Sequence, residues 1–327
     1  MTRRAVVAGL ISTFGLLALS GAACAQDSWP NKPVRIIVNL AAGSGGDISG
    51  RVLSDQLSKT FGQPFILDFK PGANGIVGTE AAAKSPNDGY TLLYTYTAAH
   101  VVNPALYPKL SYDPVKDFTP VAQIGAGGNL LLVSPKLPVN NLSEFIAYVK
   151  SKPADELSYG SWGSGSGGHL SMEALKQQTG LQIKHIPYKS SSTILVDLMS
   201  GVIDVAFSSV PAGLPLVQSG KLKAIAVSGP YRVPVLPDVK TMSEQDVKFD
   251  VAAYYALFAP AGTPKAIVDR LNKEINRILQ DPQTVDKFIS LGFSKLPIKT
   301  PEEFGQTVKD DLVTWGDIVR KGNITID

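Results

Sequence analysis

The sequence predicts an α/β protein of two lobes, each a mainly parallel sheet flanked by helices, with a ligand cleft between them. Three observations carry that expectation. The chain has 327 residues, which fits two domains of ordinary size. Apolar β-branched runs alternate with stretches of helical periodicity, the grammar of right-handed strand–helix–strand crossovers. The last third of the chain holds one apolar strand and then helices with no sheet of their own to cover.

The elements follow in order. Val34–Val38 is a continuous apolar run. After a glycine-rich turn, Ile48, Val52, Leu53 and Leu57 recur at helical spacing. The pattern repeats with a strand at Phe65–Phe69, a loop over 72–78, a helix over 79–84 and a strand over 91–97. A second set of strands covers 130–133, 157–161, 183–188, 205–207 and 222–227. Helices over 142–150, 169–178 and 193–199 lie between them. A strand over 255–259 precedes Thr263 and Pro264, read as N-cap and first turn of a helix whose apolar stripe is Ile267, Val268, Leu271, Ile275 and Ile278. These last helices need the first sheet. The economical arrangement puts 26–123 and 229–327 in the first lobe and 124–228 in the second, with two crossing segments acting as a hinge.

Residues 1–25 are read apart from the fold. Arg3 and Arg4, the apolar run 5–19 and the small residues 20–25 have the layout of a secretory signal peptide, cleaved after Ala23-Cys24-Ala25 so that the mature chain begins at Gln26. The apolar run is shorter than the ~20 residues of a membrane-spanning helix. Lipid attachment at Cys24 is the competing reading, with Gly21 standing where such signals usually place leucine. Of 31 basic residues, removing Arg3 and Arg4 leaves 29 against 28 acidic ones. That near-neutral balance argues against a nucleic-acid partner. Removing the chain's single cysteine leaves no disulfide, and His100, His169 and His185 lack zinc-site spacing, so no metal site is expected.

Three loops that join a strand to a helix carry the chemistry. The first includes Ser44, Gly45, Gly46 and Asp47; the second includes Ser161, Trp162, Gly163, Ser164 and Ser166; the third includes Ser190, Ser191, Ser192 and Thr193. Glycine admits close approach of a ligand to backbone, and a helix start offers free N–H groups with partial positive charge, a combination suited to anions. Any one such loop can equally be a plain cap. Gly163, Gly165 and Gly168 satisfy G-x-G-x-x-G, but the next strand ends in Pro187 and Tyr188 rather than the acidic residue a dinucleotide site needs. No lysine followed by serine or threonine closes the Gly43 loop as a phosphate-binding motif would. No serine is centred in G-x-S-x-G, and His169 at a helix start reads as a cap before it reads as a base. Asp155 with Glu156 and Glu302 with Glu303 read as solvated helix starts. Binding without catalysis and without a cofactor is the expectation.

In this order, the segments WPNKPVRIIV at 29–38, Gly45-Gly46-Asp47-Ile48 with Arg51, GQPF at 62–65, KPGANG at 70–75, DGYTLL at 88–93 and DFTPV at 117–121 form a specific pattern. His169-Leu170, Pro187-Tyr188-Lys189, SGKL at 219–222 and APAGTP at 259–264 complete it. The chain resembles the secreted solute receptors of tripartite tricarboxylate transporters, also called the Bordetella uptake gene family. The resemblance implies a periplasmic-binding-protein-like (type II) fold, a monomer in the periplasm. It implies closure over a small organic carboxylate and delivery to a large and a small membrane subunit; the alternative reading is an extracytoplasmic sensor that signals to a membrane sensor kinase. It also implies ligand contacts at the Gly45 loop, at Thr95 and Thr97, at the Ser161–Ser166 loop and at the turn after Lys189. Asp204 matches a further family position, and His169 and Tyr188 complete the expected binding set. Asn39 and Leu40 stand where Pro and Phe are usual, Trp162 enters a loop often built from smaller residues, and Ser190 replaces a common glycine. These departures bear on which ligand is held. With Tyr94, Tyr96, Trp162 and Tyr188 beside the loops, a dicarboxylate or a flat aromatic acid is expected.

Overall fold

The computed structural model describes residues 29–321 and 324–325; the expected signal segment and Cys24 lie outside the described residues. The chain opens with β1 (Val34–Val38), α1 (Gly45–Phe61), β2 (Phe65–Phe69), α2 (Ile76–Ala83) and β3 (Thr91–Tyr96). A π-helical turn over Ala98–Val102 runs into the short α3 (Asn103–Leu106), followed by β4 (Phe118–Gly127). The chain then enters the second sheet with β5 (Asn129–Val133), α4 (Leu142–Lys150), β6 (Ser158–Ser161), α5 (Gly167–Thr179) and β7 (Lys184–Pro187). α6 (Ser191–Ser200), β8 (Val205–Ser209), α7 (Val210–Gln218) and β9 (Lys223–Val227) finish that lobe. β10 (Ala253–Pro260), α8 (Lys265–Ile278), α9 (Pro282–Ser290) and α10 (Pro301–Lys321) return to the first.

The strand orders are β2-β1-β3-β10-β4 and β7-β6-β8-β5-β9. β1 pairs parallel with both neighbours, and β6 pairs parallel with β7 and β8. One strand in each sheet, β10 and β5, runs antiparallel, and each is the first strand laid down after the chain crosses between lobes. The sheets are therefore mixed where the alternation of elements suggested parallel pairing throughout. Residues 124–127, expected in the second lobe, are hydrogen-bonded into the first sheet as the end of β4, so the crossing falls at Gly128. An added Cβ at Gly128 would lie on the Ser228 backbone of the other crossing segment, which shows how closely the two crossings approach.

Each sheet is covered on both faces. Leu53 and Leu57 of α1 with Val268, Leu271 and Ile275 of α8 cover one face of the first sheet. On the opposite face, Ala82, Phe304 and Val308 belong to a buried cluster that continues past the crossing to Leu131, Phe145 and Phe207 in the second sheet. α6 and α7 supply Ile194, Leu198 and Leu214 to the remaining face. Removing such side chains from water contributes about 25 cal/mol per Å² of apolar surface, the dominant favourable contribution to folding. Pro264, rather than Thr263, occupies the N-cap of α8; the Thr263 hydroxyl donates instead to the Pro260 carbonyl at 2.7 Å. Among the described residues no helix is long and apolar enough to cross a membrane.

Candidate functional site

The C-terminal ends of the parallel strands in both sheets face one cleft, where open α/β sheets bind ligands. The helices that follow them begin there. Ser44 caps α1 by accepting from the Asp47 amide at 3.3 Å, Ser166 caps α5 through His169 N–H at 3.4 Å, and Ser190 caps α6 through Thr193 N–H at 3.4 Å. Helix geometry leaves the first amides without an intrahelical partner. One hydroxyl cap satisfies one of them, so the amides of Gly45, Gly46, Gly167, Gly168, Ser191 and Ser192 remain to meet ligand or water. The start of α7, at Ser209 and Val210, points into the same space. Partial positive charge thus converges from both lobes.

The cleft has two compartments. An outer chamber of about 490 Å³ is walled by Asn39, Asn74, Gly163, Ser164, Tyr188 and Lys189 among others. An inner slot of about 80 Å³ is lined by Gly128 and Ser228 of the crossing segments and by Tyr254 and Trp315 among others. Leu40, Ser44, Tyr96, Trp162 and Ser191 belong to both and form the neck between them. Among the described residues, Lys189 is the one charged side chain in the lining of either compartment, and no carboxylate lines them.

The structure brings several of the expected residues together. Ser44, Gly45, Trp162, Gly163, Ser164, Tyr188, Ser190 and Ser191 all line the cleft. Tyr188 donates to Asp197 at 2.8 Å; partial burial, with that carboxylate behind it, pushes its phenol up to about 12. Other residues serve the cleft from behind. The Asp47 carboxylate accepts from Gly43 N–H at 2.8 Å and pairs with Arg51 at 2.6 Å, which fixes the first loop rather than a ligand. Gly46 lies against the end of the Leu40 side chain, which would have to shift for a Cβ there. Ser161 is fully buried, 2.7 Å from His185, and donates to the Gly163 carbonyl at 3.0 Å. His169 accepts from Gly165 N–H at 3.0 Å and stacks on His185 at 4.4 Å, so it shapes the second loop from beneath. Ser192 and Thr193 interact with Ser190 at the exposed rim.

Three expected residues require correction. Thr95 is buried and accepts from Asn39 at 2.7 Å. Thr97 lines the slot, but its hydroxyl accepts from Tyr254 N–H at 2.7 Å and donates to Tyr254 carbonyl at 3.2 Å, tying β3 to β10 instead of waiting for a carboxylate. Asp204 precedes β8 at the end of the sheet opposite the cleft, where its carboxylate accepts from Ser158 N–H at 2.8 Å. Tyr94 likewise points into the core, 2.8 Å from Ser49.

The loop segment Gly72–Gly75, not among the expected site residues, also lines the cleft. Ala73 and Asn74 both hold left-handed backbone, φ 46° and 50°, a conformation that costs of order 1 kcal/mol each outside glycine. The arrangement is held by Tyr96, whose hydroxyl donates to the Asn74 side chain at 2.5 Å, and by Asn103, which accepts from Asn74 Nδ2 at 2.7 Å. Asn-Gly at 74–75 was the available signal for that turn. Phe249, Val251, Tyr254 and Trp315 were also missed as slot residues.

Comparison with known proteins agrees with this geometry. The description "Tripartite tricarboxylate transporter family receptor" matches residues 49–324. Protein BugT of Bordetella pertussis is 35% identical over 324 residues, 98% of this chain and 98% of its own. An R. palustris protein solved with adipate superposes with a TM-score of 0.88 at 32% identity, covering 91% of this chain and all of that one. MatC from Rhodopseudomonas palustris, solved with bound malate, gives 0.82 at 32% identity over 89% of this chain and 100% of its own. A mixed two-sheet fold, a cleft ringed by helix starts and a match across most of its length place this chain in the tripartite tricarboxylate transporter receptor family, among the Bug-like solute-binding proteins.

Proposed function

We propose that this receptor captures a small organic carboxylate between its lobes in the periplasm, after removal of residues 1–25, and delivers it unaltered to the large and small membrane subunits of a tripartite transporter. The observation that carries the reading is the cleft lining: helix starts from both lobes, serine hydroxyls and, among the described residues, one lysine and no acidic side chain. The adipate and malate held by the two R. palustris relatives support carboxylate as the ligand class. The energetics suffice. Micromolar affinity is about −8 kcal/mol, and each hydrogen bond to a charged group contributes roughly 1.5–3 kcal/mol, so a few such bonds with lobe closure reach it.

Calorimetric titration of the mature protein with four- to six-carbon dicarboxylates and with benzoate-type acids tests this. Micromolar binding of at least one is expected, with no product formed. Binding of an amine or a sugar and of no carboxylate contradicts it.

A further inference from the structure

The inner slot is rich in donors that lack acceptors. Four helices begin in its lining: α1 at Ser44 and Gly45, α5 at Gly167, α6 at Ser191, and α7 at Ser209 and Val210. Each start carries backbone N–H groups without an intrahelical partner and a partial positive charge, and α7 has no side-chain cap. Helix starts alone mark no site, because caps and water serve them equally well.

An independent feature lies in the same wall. Trp315 of α10 lines the slot, is 3% exposed, and its indole Nε1 has no hydrogen-bond partner among the described residues. An indole N–H can only donate, and a buried donor left unpaired is costly. The hydroxyl oxygens of Ser209 and Tyr254, also slot residues, are buried and likewise meet no partner at hydrogen-bond geometry among the described residues. Unpaired donors select the occupant. An apolar group would leave them unpaired, and an ammonium would add donors of its own. A carboxylate brings two oxygens that only accept, and hydrogen bonds to a charged acceptor are the strong ones. The hydration it gives up on entry is replaced by helix-start amides and the indole N–H.

We propose that the slot seats a carboxylate of the ligand and that Trp315, through Nε1, is a ligand-binding residue there. The slot holds about 80 Å³ against about 490 Å³ in the outer chamber, so the rest of the molecule passes through the neck into the larger space. This rests on the carboxylate reading above and gives it a place and a donor. α10 then takes part in recognition although it belongs to none of the glycine–serine loops. The bound carboxylate lies in the compartment that Gly128 and Ser228 of the crossing segments also line.

Calorimetry on the mature protein with malate, succinate, adipate and benzoate finds the tightest binder, which serves as the probe; other carboxylates follow only if none of the four binds. Two variants remove the indole N–H: Trp315→Phe, and replacement of Trp315 by 3-benzothienylalanine, which keeps the bicyclic shape. Each is expected to bind the probe ten-fold or more weaker than the parent, the loss of one hydrogen bond to a charged group. Far-ultraviolet dichroism and thermal unfolding confirm the fold, and the isostere decides where the phenylalanine variant does not fold. Proton–nitrogen NMR reads the contact itself. The chain has three tryptophans, and the indole N–H resonance missing from the isostere belongs to Trp315. It is expected to move downfield when the probe is added to the parent protein. A smaller loss of affinity in the folded isostere, or a Trp315 resonance that stays in place, overturns the proposal and leaves the carboxylate reading intact. Binding of no carboxylate at all defeats both.

Discussion

His100 shows how single residues set the behaviour of the frame around the site. It sits in the π-helical turn that follows the slot residue Thr97, 2.9 Å from the Pro114 carbonyl and stacked on Phe258 with ring centroids 3.8 Å apart. Burial lowers its pKa from 6.5 to about 3, so the folded protein keeps it neutral. The stability consequence has a definite sign. Above pH 6.5 neither state holds the extra proton and the full stability is present. As pH falls below 6.5 the unfolded chain takes up a proton that the folded chain refuses until about pH 3, and stability is lost across that window. At pH 5 the loss is roughly 2 kcal/mol from this one residue. His100→Phe is expected to remove that part of the slope. Urea unfolding at pH 7.5 and pH 5 measures it: the parent protein loses ~2 kcal/mol more than the variant, and an equal loss contradicts the account. Thr97 and Asp47 belong to the same group of residues that face the site while holding the frame, through Tyr254 and Gly43 respectively.

At the scale of elements, the starts of α1, α5, α6 and α7 do most of the work, and α1 makes the clearest demand on sequence. A Cβ added to Gly45 would lie 2.5 Å from both the Ser209 hydroxyl of the other lobe and the Tyr255 hydroxyl. Gly45→Ala is therefore expected to hold the lobes apart at this point. Ligand affinity falls ten-fold or more while the unliganded protein melts within a few degrees of the parent, as calorimetry and thermal unfolding will read; unchanged affinity contradicts the role. The glycine–serine loops were legible because strand, loop and helix alternate locally. Which of their residues face a ligand was not, because a cap and a ligand-binding amide use the same residue types, as Ser44 and Ser166 show. β4 escaped the sequence because Pro120 and its glycines break any apolar alternation; pairing with β10, through two register shifts, makes it a strand. α7 escaped because Pro211, Gly213 and Pro215 argue against a helix, yet Pro211 sits in its first turn and Val210 and Leu214 are buried beneath it. The slot wall is assembled from residues 98, 128, 228, 254 and 315, whose proximity only the closed topology creates.

At the scale of the whole molecule, two sheets of matching strand order meet through two crossings at Gly128 and after Ser228. At the cleft the lobes lie close: a Cβ added to Gly43 of the first would be 4.0 Å from Ser192 of the second. On the proposed function, closure of the lobes about these crossings is what binding energy would drive. The most direct test of the central claim is a crystal structure of the mature protein with the tightest carboxylate found by titration. The account predicts that the acid lies between the lobes with carboxylate oxygens within hydrogen-bond distance of the Gly45 or Ser191 amide and its carbon skeleton unchanged. An acid bound on the outer face of either lobe, or a chemically altered molecule in the cleft, contradicts it.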